Sequence, residues 1–254
     1  MRPEFLSASQ ISCFLACPAK YRFRYVDRAS PAFRPSGFVL GNVVHSALEW
    51  LHKSWLAGTA PSEEDLLVIF EADLSAQTVE EIRMRNGETV SSLQETGRNL
   101  VRLYFSETEA RAPRGAEVPF EVDLVHPATG EVLDAPLRGW FDLIEADGTL
   151  VELKTAARRP DETALTLHPQ LSAYSYAAAR IYRERPGLRL DCLLKTKKPR
   201  LERISVERSE TDDARIFVLA RSVLRAVEAE SFFPNPGWQC EGCEFRHLCP
   251  AWDV

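Results

Sequence analysis

Gly139-Trp140-Phe141-Asp142-Leu143-Ile144-Glu145-Ala146-Asp147-Gly148-Thr149-Leu150-Val151-Glu152-Leu153-Lys154-Thr155 decides how the rest of the chain is read. Two apolar runs flank Ala146-Asp147-Gly148, and a three-residue loop ending in glycine predicts an antiparallel hairpin closed by a left-handed residue. That loop length sets the register. Glu145 pairs with Thr149, and by the same count Asp142 faces Glu152, at about the 4.5–5.5 Å of directly opposed side chains. Glu152 and Lys154 share one face, roughly 6–7 Å apart along the strand, while Leu153 turns toward the core. Two carboxylates so placed repel, and a hard divalent cation between them removes the repulsion. A two-residue loop would send Asp142 to the wrong face, so this reading has a geometric test. The competing interpretation, a solvated strand face, is the commoner meaning of a bare Glu-x-Lys. Trp140, Phe141, Leu143 and Ile144 weigh against it, because so apolar a strand is a poor place for a superficial carboxylate.

After the hairpin, Ala164 to Arg183 is alanine-rich and helical, and Leu188 to Thr196 and Leu201 to Val206 are strands around a Lys197-Lys198-Pro199-Arg200 turn. Ser209 to Glu230 follows as a long helix capped by Ser209 or Thr211. Before the hairpin, Glu117 to His126 alternates as a strand, turns at Pro127-Ala128-Thr129-Gly130, and returns from Val132 to Ile144. Residues 7 to 25 read as helix with a break at Cys17-Pro18, Gly41 to Leu56 as a helix with Val44, Leu48, Leu51 and Trp55 on one stripe, and 62 to 110 as two more helices. The order of elements predicts an α/β (α+β) fold with a central mixed sheet flanked by helices. It reads as one domain over 1–254, with 57–112 a helical insertion and 232–254 a Pro, Gly and Cys-rich segment.

The 254 residues are 45% apolar and 27% charged, an ordinary globular composition that excludes disorder and fibrous repeats. A net charge of −6 excludes a wholly basic wrapper of nucleic acid while leaving local basic surfaces open. No apolar run is long enough to span a membrane. Phe14-Leu15-Ala16-Cys17 superficially resembles a lipoprotein signal, but polar Ser7, Ser9, Gln10 and Ser12 interrupt any apolar stretch, so the segment reads as mature structure and the expected compartment is the cytoplasm. There the six cysteines point to metal or redox chemistry rather than disulfides.

Four segments, in order, carry a family resemblance. Leu6-Ser7-Ala8-Ser9-Gln10 with Cys17-Pro18, Gly41-Asn42-Val43-Val44-His45, the hairpin itself, and Gln170-Leu171-Ser172-Ala173-Tyr174 together resemble the motifs of PD-(D/E)XK nucleases, particularly the RecB-like branch. Singly each is weak: His45 alone reads as a structural histidine, and Gln170 and Tyr174 as a polar helix face. Phe141 stands where the superfamily's name has proline, a departure common in that branch. The resemblance implies a restriction-endonuclease-like core and hydrolysis of DNA phosphodiesters. It implies that His45, Asp142, Glu152 and the Leu153 carbonyl bind Mg²⁺ or Mn²⁺, that Lys154 orients the attacking water, and that Gln170 and Tyr174 contact Lys154 or the nucleic acid. Gln170 and Tyr174, four apart, share a helix face.

Cys240-x2-Cys243-x5-Cys249 is a three-thiolate array needing a fourth ligand, for which Cys17 is the best candidate. By ligand type and spacing, a structural Zn²⁺ (with Cys17 or His247) and an iron–sulfur cluster are equally suited. The resemblance implies a [4Fe–4S] cluster, since many members of the branch, among them CRISPR adaptation nucleases and the AddB subunit, have one N-terminal and three C-terminal cysteines. Cys13, one turn from Cys17, is a possible substitute, and Cys192 belongs to the core.

Two basic stretches are candidates for DNA contact: Lys20, Arg22, Arg24, Arg28 and Arg34, interleaved with Tyr21, Phe23 and Tyr25, and Lys195, Lys197, Lys198, Arg200 and Arg203. The leading expectation is a Mg²⁺- or Mn²⁺-dependent deoxyribonuclease, an exonuclease or end-processing enzyme acting on single-stranded or frayed DNA, with a helicase or CRISPR integrase as possible partner. Its rivals are a non-catalytic DNA-end docking subunit and a structural zinc protein. A binding module has no need to assemble paired carboxylates, which favours the enzyme.

Overall fold

Ser7 opens the first helix by accepting the N–H of Gln10 at 3.2 Å, and α1 (Ala8–Ala16) ends where Cys17 turns extended before Pro18. The computed structural model that gives this geometry describes residues 3–79, 81–85 and 87–252, so the last two residues of the 232–254 segment lie outside it. α2 (Pro18–Tyr21) runs into a π-helical turn at Arg22–Val26. β1 (Arg34–Pro35) leads into α3 (Ser36–Leu56), which begins five residues before the predicted Gly41 because the apolar stripe extends back through Val39 and Leu40. Then come α4 (Glu63–Gln77), opened by a Ser62–Asp65 capping box, β2 (Ile82–Arg83), parallel to β1, and α5 (Val90–Glu107).

β3 (Gly115–Val122), β4 (Leu137–Ile144) and β5 (Leu150–Ala156) form the meander. β4 is shorter than the predicted 132–144, since the return leg before Leu137 makes only one isolated bridge, Val125 to Val132. The predicted 164–183 helix is two pieces, α6 (Glu162–Thr166) and α7 (Pro169–Ile181), because Pro169 has no N–H to continue a helix and occupies the first turn of a new one. This crossover delivers β6 (Leu188–Leu194) parallel to β5; β7 (Arg200–Val206) is antiparallel to β6, and α8 (Glu210–Glu228) follows. The sheet runs β3-β4-β5-β6-β7, a five-stranded mixed sheet with helices on both faces, as the element order predicts.

α3, α4 and α5 cover one face around Val44, Leu48, Phe70, Leu100, Val151 and Leu193. α1, α7 and α8 cover the other around Phe120, Phe141, Tyr174, Phe217 and Leu188. Each fully buried Leu, Phe or Val contributes roughly 1.5–3 kcal/mol of transfer free energy, so the helices at 57–112 supply much of one layer's core. Among the described residues, no helix is long and apolar enough to cross a membrane.

Candidate active site

The hairpin register follows the loop. Glu145 N–H donates to the Thr149 carbonyl at 2.9 Å, Gly148 takes a left-handed φ of 96°, and Ile144 pairs with Leu150 and Leu143 with Val151. One step further, Asp142 comes level with Glu152, but the ladder stops there. The strands part, and the Leu153 N–H donates instead to Asp142 Oδ2 at 2.9 Å.

β3 changes at the same level. Ala116 pairs with Leu143 and Val118 with Phe141, so Glu117 lies beside Asp142. Ala116 and Leu143 pack toward α3, whereas Val118 and Phe141 pack toward α7. Both strands therefore swap faces at this pair of acids. Glu117 manages the swap with a left-handed φ of 52°, a conformation costing a non-glycine residue on the order of 1–3 kcal/mol. The Phe120 ring packs against Phe141 and over Gly139, where an added Cβ would meet it at 2.7 Å, so glycine in the hairpin's first position is a packing requirement.

Helices close on this fork from both sides. From α7, the Tyr174 hydroxyl donates to Asp142 Oδ1 at 2.7 Å and accepts the Asp142 N–H at 3.0 Å; Gln170, one turn earlier, lies beside that hydroxyl. From α3, His45 Nε2 meets Glu117 Oε1 at 2.7 Å, and its Nδ1 stands 3.9 Å from Asp142 Oδ2. Glu152 is buried and its Oε2 has no hydrogen-bond partner among the described residues, while Lys154 is exposed two residues further along β5. Tyr174 neighbours both carboxylates, so they lie on one side of the sheet, the arrangement the three-residue loop predicts.

The electrostatics are those of a crowded acid site. Burial, then the charge of Asp142, pushes Glu152 up to about 8. Burial raises Asp142 against the opposing pull of His45 and Tyr174. Burial alone would lower His45, but Glu117 bonded to it, with Asp142 and Glu152 close by, outweighs that and raises it to about 9. Burial, then Lys154 and Arg208, lowers His168, at the start of α7, to about 4. An orphaned buried carboxylate oxygen beside a second acid, with an imidazole at hand, is a donor set suited to a divalent metal ion.

Two neighbours escaped the sequence reading. His45, Glu49 and Glu117 each bring one ligand atom within 4.8 Å of the others. Glu49, four residues after His45 on one helix, was a legible signal; Glu117 was not, because nothing in Val118-Pro119-Phe120-Glu121 announces a reversed backbone just before it.

The cysteines fall into two groups. Cys17, Cys240, Cys243 and Cys249 line one cavity of about 70 Å³, whereas Cys13 packs half-buried against the core, where burial pushes its thiol up to about 11, and Cys192 is buried on β6. A tetrahedral zinc with Zn–S bonds of about 2.3 Å needs sulfurs about 3.8 Å apart. Among the described residues, no three cysteine sulfurs come within 4.8 Å of one another.

The first basic stretch requires correction. Tyr21 is fully buried, stacked among Phe14, Tyr25 and Phe232 and bonded to Gln10, so it offers no ring to a base. Lys20 and Arg24 both bind the buried Glu244 carboxylate, and Arg22 pairs with Asp27; these cations hold the cysteine segment and their own helix before they meet any nucleic acid. Lys197 and Lys198 stand exposed in the turn after β6, and Arg200 is exposed at the start of β7.

The profile of the PD-(D/E)XK nuclease superfamily matches residues 5–250. No curated protein matches the chain. Among solved structures, a candidate exonuclease from Eubacterium rectale superposes with a TM-score of 0.60 at 15% identity, covering 96% of this chain and 88% of that one. A second, SSO0001, covers 92% of each chain at 16% identity with a TM-score of 0.37.

Proposed function

Because the chain belongs to the PD-(D/E)XK nuclease superfamily, we propose that it is a divalent-metal-dependent deoxyribonuclease of the RecB-like branch, trimming single-stranded or frayed DNA ends. The fork between β4 and β5 carries this reading: a partnerless buried oxygen of Glu152 level with Asp142 is expensive for folding and useful for holding a cation. Asp142, Glu152, the Leu153 carbonyl and His45 would hold Mg²⁺ or Mn²⁺, which when bound supplies positive charge to the phosphate and makes a nearby water easier to ionise. The chain's own groups do the rest. Tyr174 and the Leu153 N–H each occupy one oxygen of Asp142 and fix its plane. Glu117 holds His45 through Nε2, leaving Nδ1 toward Asp142. Lys154, free in solvent beside Glu152, directs the attacking water and meets the charge that develops on the phosphate. Gln170 steadies the Tyr174 hydroxyl.

Cys17, Cys240, Cys243 and Cys249 are proposed to hold a [4Fe–4S] cluster. Their shared cavity, joining one N-terminal and three C-terminal thiols, supports this reading. The enzyme would work in the cytoplasm, with a helicase or an integrase as partner. Purified protein incubated with labelled single- and double-stranded DNA and Mn²⁺ tests the activity. Mn²⁺-dependent degradation that disappears in Lys154→Ala supports it, and degradation that persists in that variant refutes the site.

A further inference from the structure

Lys195 continues β6 beyond its last paired residue, its N–H donating to the Ala156 carbonyl at 2.9 Å, so it stands beside β5 just past Lys154. Its side chain runs to the first turn of α3. There a Cβ added to Gly37 would lie 3.5 Å from Lys195 Nζ and 3.4 Å from Arg85 Nη2, so the two cationic heads are no more than about 7 Å apart. Neither head forms an ion pair or a side-chain hydrogen bond among the described residues. Glu88, the acid whose charge reaches Lys195, already accepts from the Ser36 hydroxyl and from the Arg85 backbone N–H, and its single charge does not balance two. Burial, then Arg85, lowers the pKa of Lys195, the mark of an amine short of a counterion.

We propose that Lys195 and Arg85 form an accessory subsite for one backbone phosphodiester of the nucleic acid, away from the bond that is cut. The proposal rests on the nuclease reading above. Two cations that both converge on Gly37, with no ion pair among the described residues, are close enough for one anion to bridge them, and their position names its source. Gly41, one turn on from Gly37, packs against Thr155, the neighbour of Lys154, with an added Cβ 3.3 Å from Thr155 Oγ1. His45 is one further turn along. From Gly37 to His45 is about 12 Å of helix, the span of a few nucleotides, so a strand threaded past Lys154 brings a later phosphate to Lys195. A free carboxylate or inorganic phosphate would gain nothing from that alignment. Exposed Lys197 and Lys198 extend the same positive edge.

The test is equilibrium binding of a fluorescent single strand long enough to span both points, in EDTA, across a salt series, with Mn²⁺-dependent cleavage measured in parallel on the wild type. The double variant Lys195→Gln/Arg85→Gln is expected to bind roughly tenfold more weakly, with a log–log salt slope shallower by about 0.7–1.4. Gly37→Glu, which sets an acid between the cations from the opposite wall, should give the same loss without adding to it, and carries the test alone if the double variant fails to fold. Unchanged affinity and slope in variants of a wild type that binds and cleaves would overturn the subsite alone. A wild type that neither binds nor cleaves overturns the nuclease reading and the subsite with it.

Discussion

Glu117 takes a backbone conformation that costs stability in order to reach the ring of His45. A carboxylate on the far nitrogen of a metal-binding imidazole sets its tautomer and orientation, and losing one typically costs 10–100-fold in metal affinity. Glu117→Gln is therefore expected to weaken Mn²⁺ binding by roughly that factor in titration calorimetry. Lys154→Ala should lower cleavage by about 10²–10³, the usual loss when a group facing developing charge is removed, with Mn²⁺ affinity little changed. Glu152 and His45 both hold their protons more tightly folded than unfolded. The stability they contribute is complete below their ordinary values and is lost as pH rises through about 8 and about 9. The melting temperature of the metal-free protein should accordingly fall from pH 5 toward pH 9. Glu152→Gln should flatten that fall, and Mn²⁺ should reverse it.

At the scale of elements, the β4–β5 hairpin was legible because loop length and a terminal glycine leave little freedom in the pairing. Its fork was not, since parting depends on an Asp142 side chain replacing a backbone partner and on a neighbouring strand that reverses at Glu117. Gly139 is intelligible only with Phe120 in view. Gly139→Ala would press a methyl into that ring and should cost about 1–3 kcal/mol, the range for overpacking, measured by urea unfolding. The basic helix misled for the same reason the hairpin did not. Lys20 and Arg24 are answered by Glu244, more than two hundred residues away, and no local pattern encodes that meeting.

For the molecule as a whole, the cluster proposed at Cys17, Cys240, Cys243 and Cys249 would close a loop of more than two hundred residues. A covalent tie across so long a loop removes chain entropy worth on the order of 5 kcal/mol. Cys17→Ala, or removal of iron by a chelator, should lower the melting temperature by several degrees. Wild-type protein as purified should be brown, with iron and sulfide in equal amounts.

The same end of the molecule is also fastened without cysteines: Phe233 accepts the Ala19 N–H, Ala32 N–H donates to Glu244, and Asn235 reaches Ala16. During synthesis, then, the segment from Ala8 to Val26 waits for partners translated some two hundred codons later. Hydrogen exchange there should slow further once the cysteine segment has docked, and a single proteolytic nick near Phe233 should loosen amides of α1 and α2 before it disturbs the sheet.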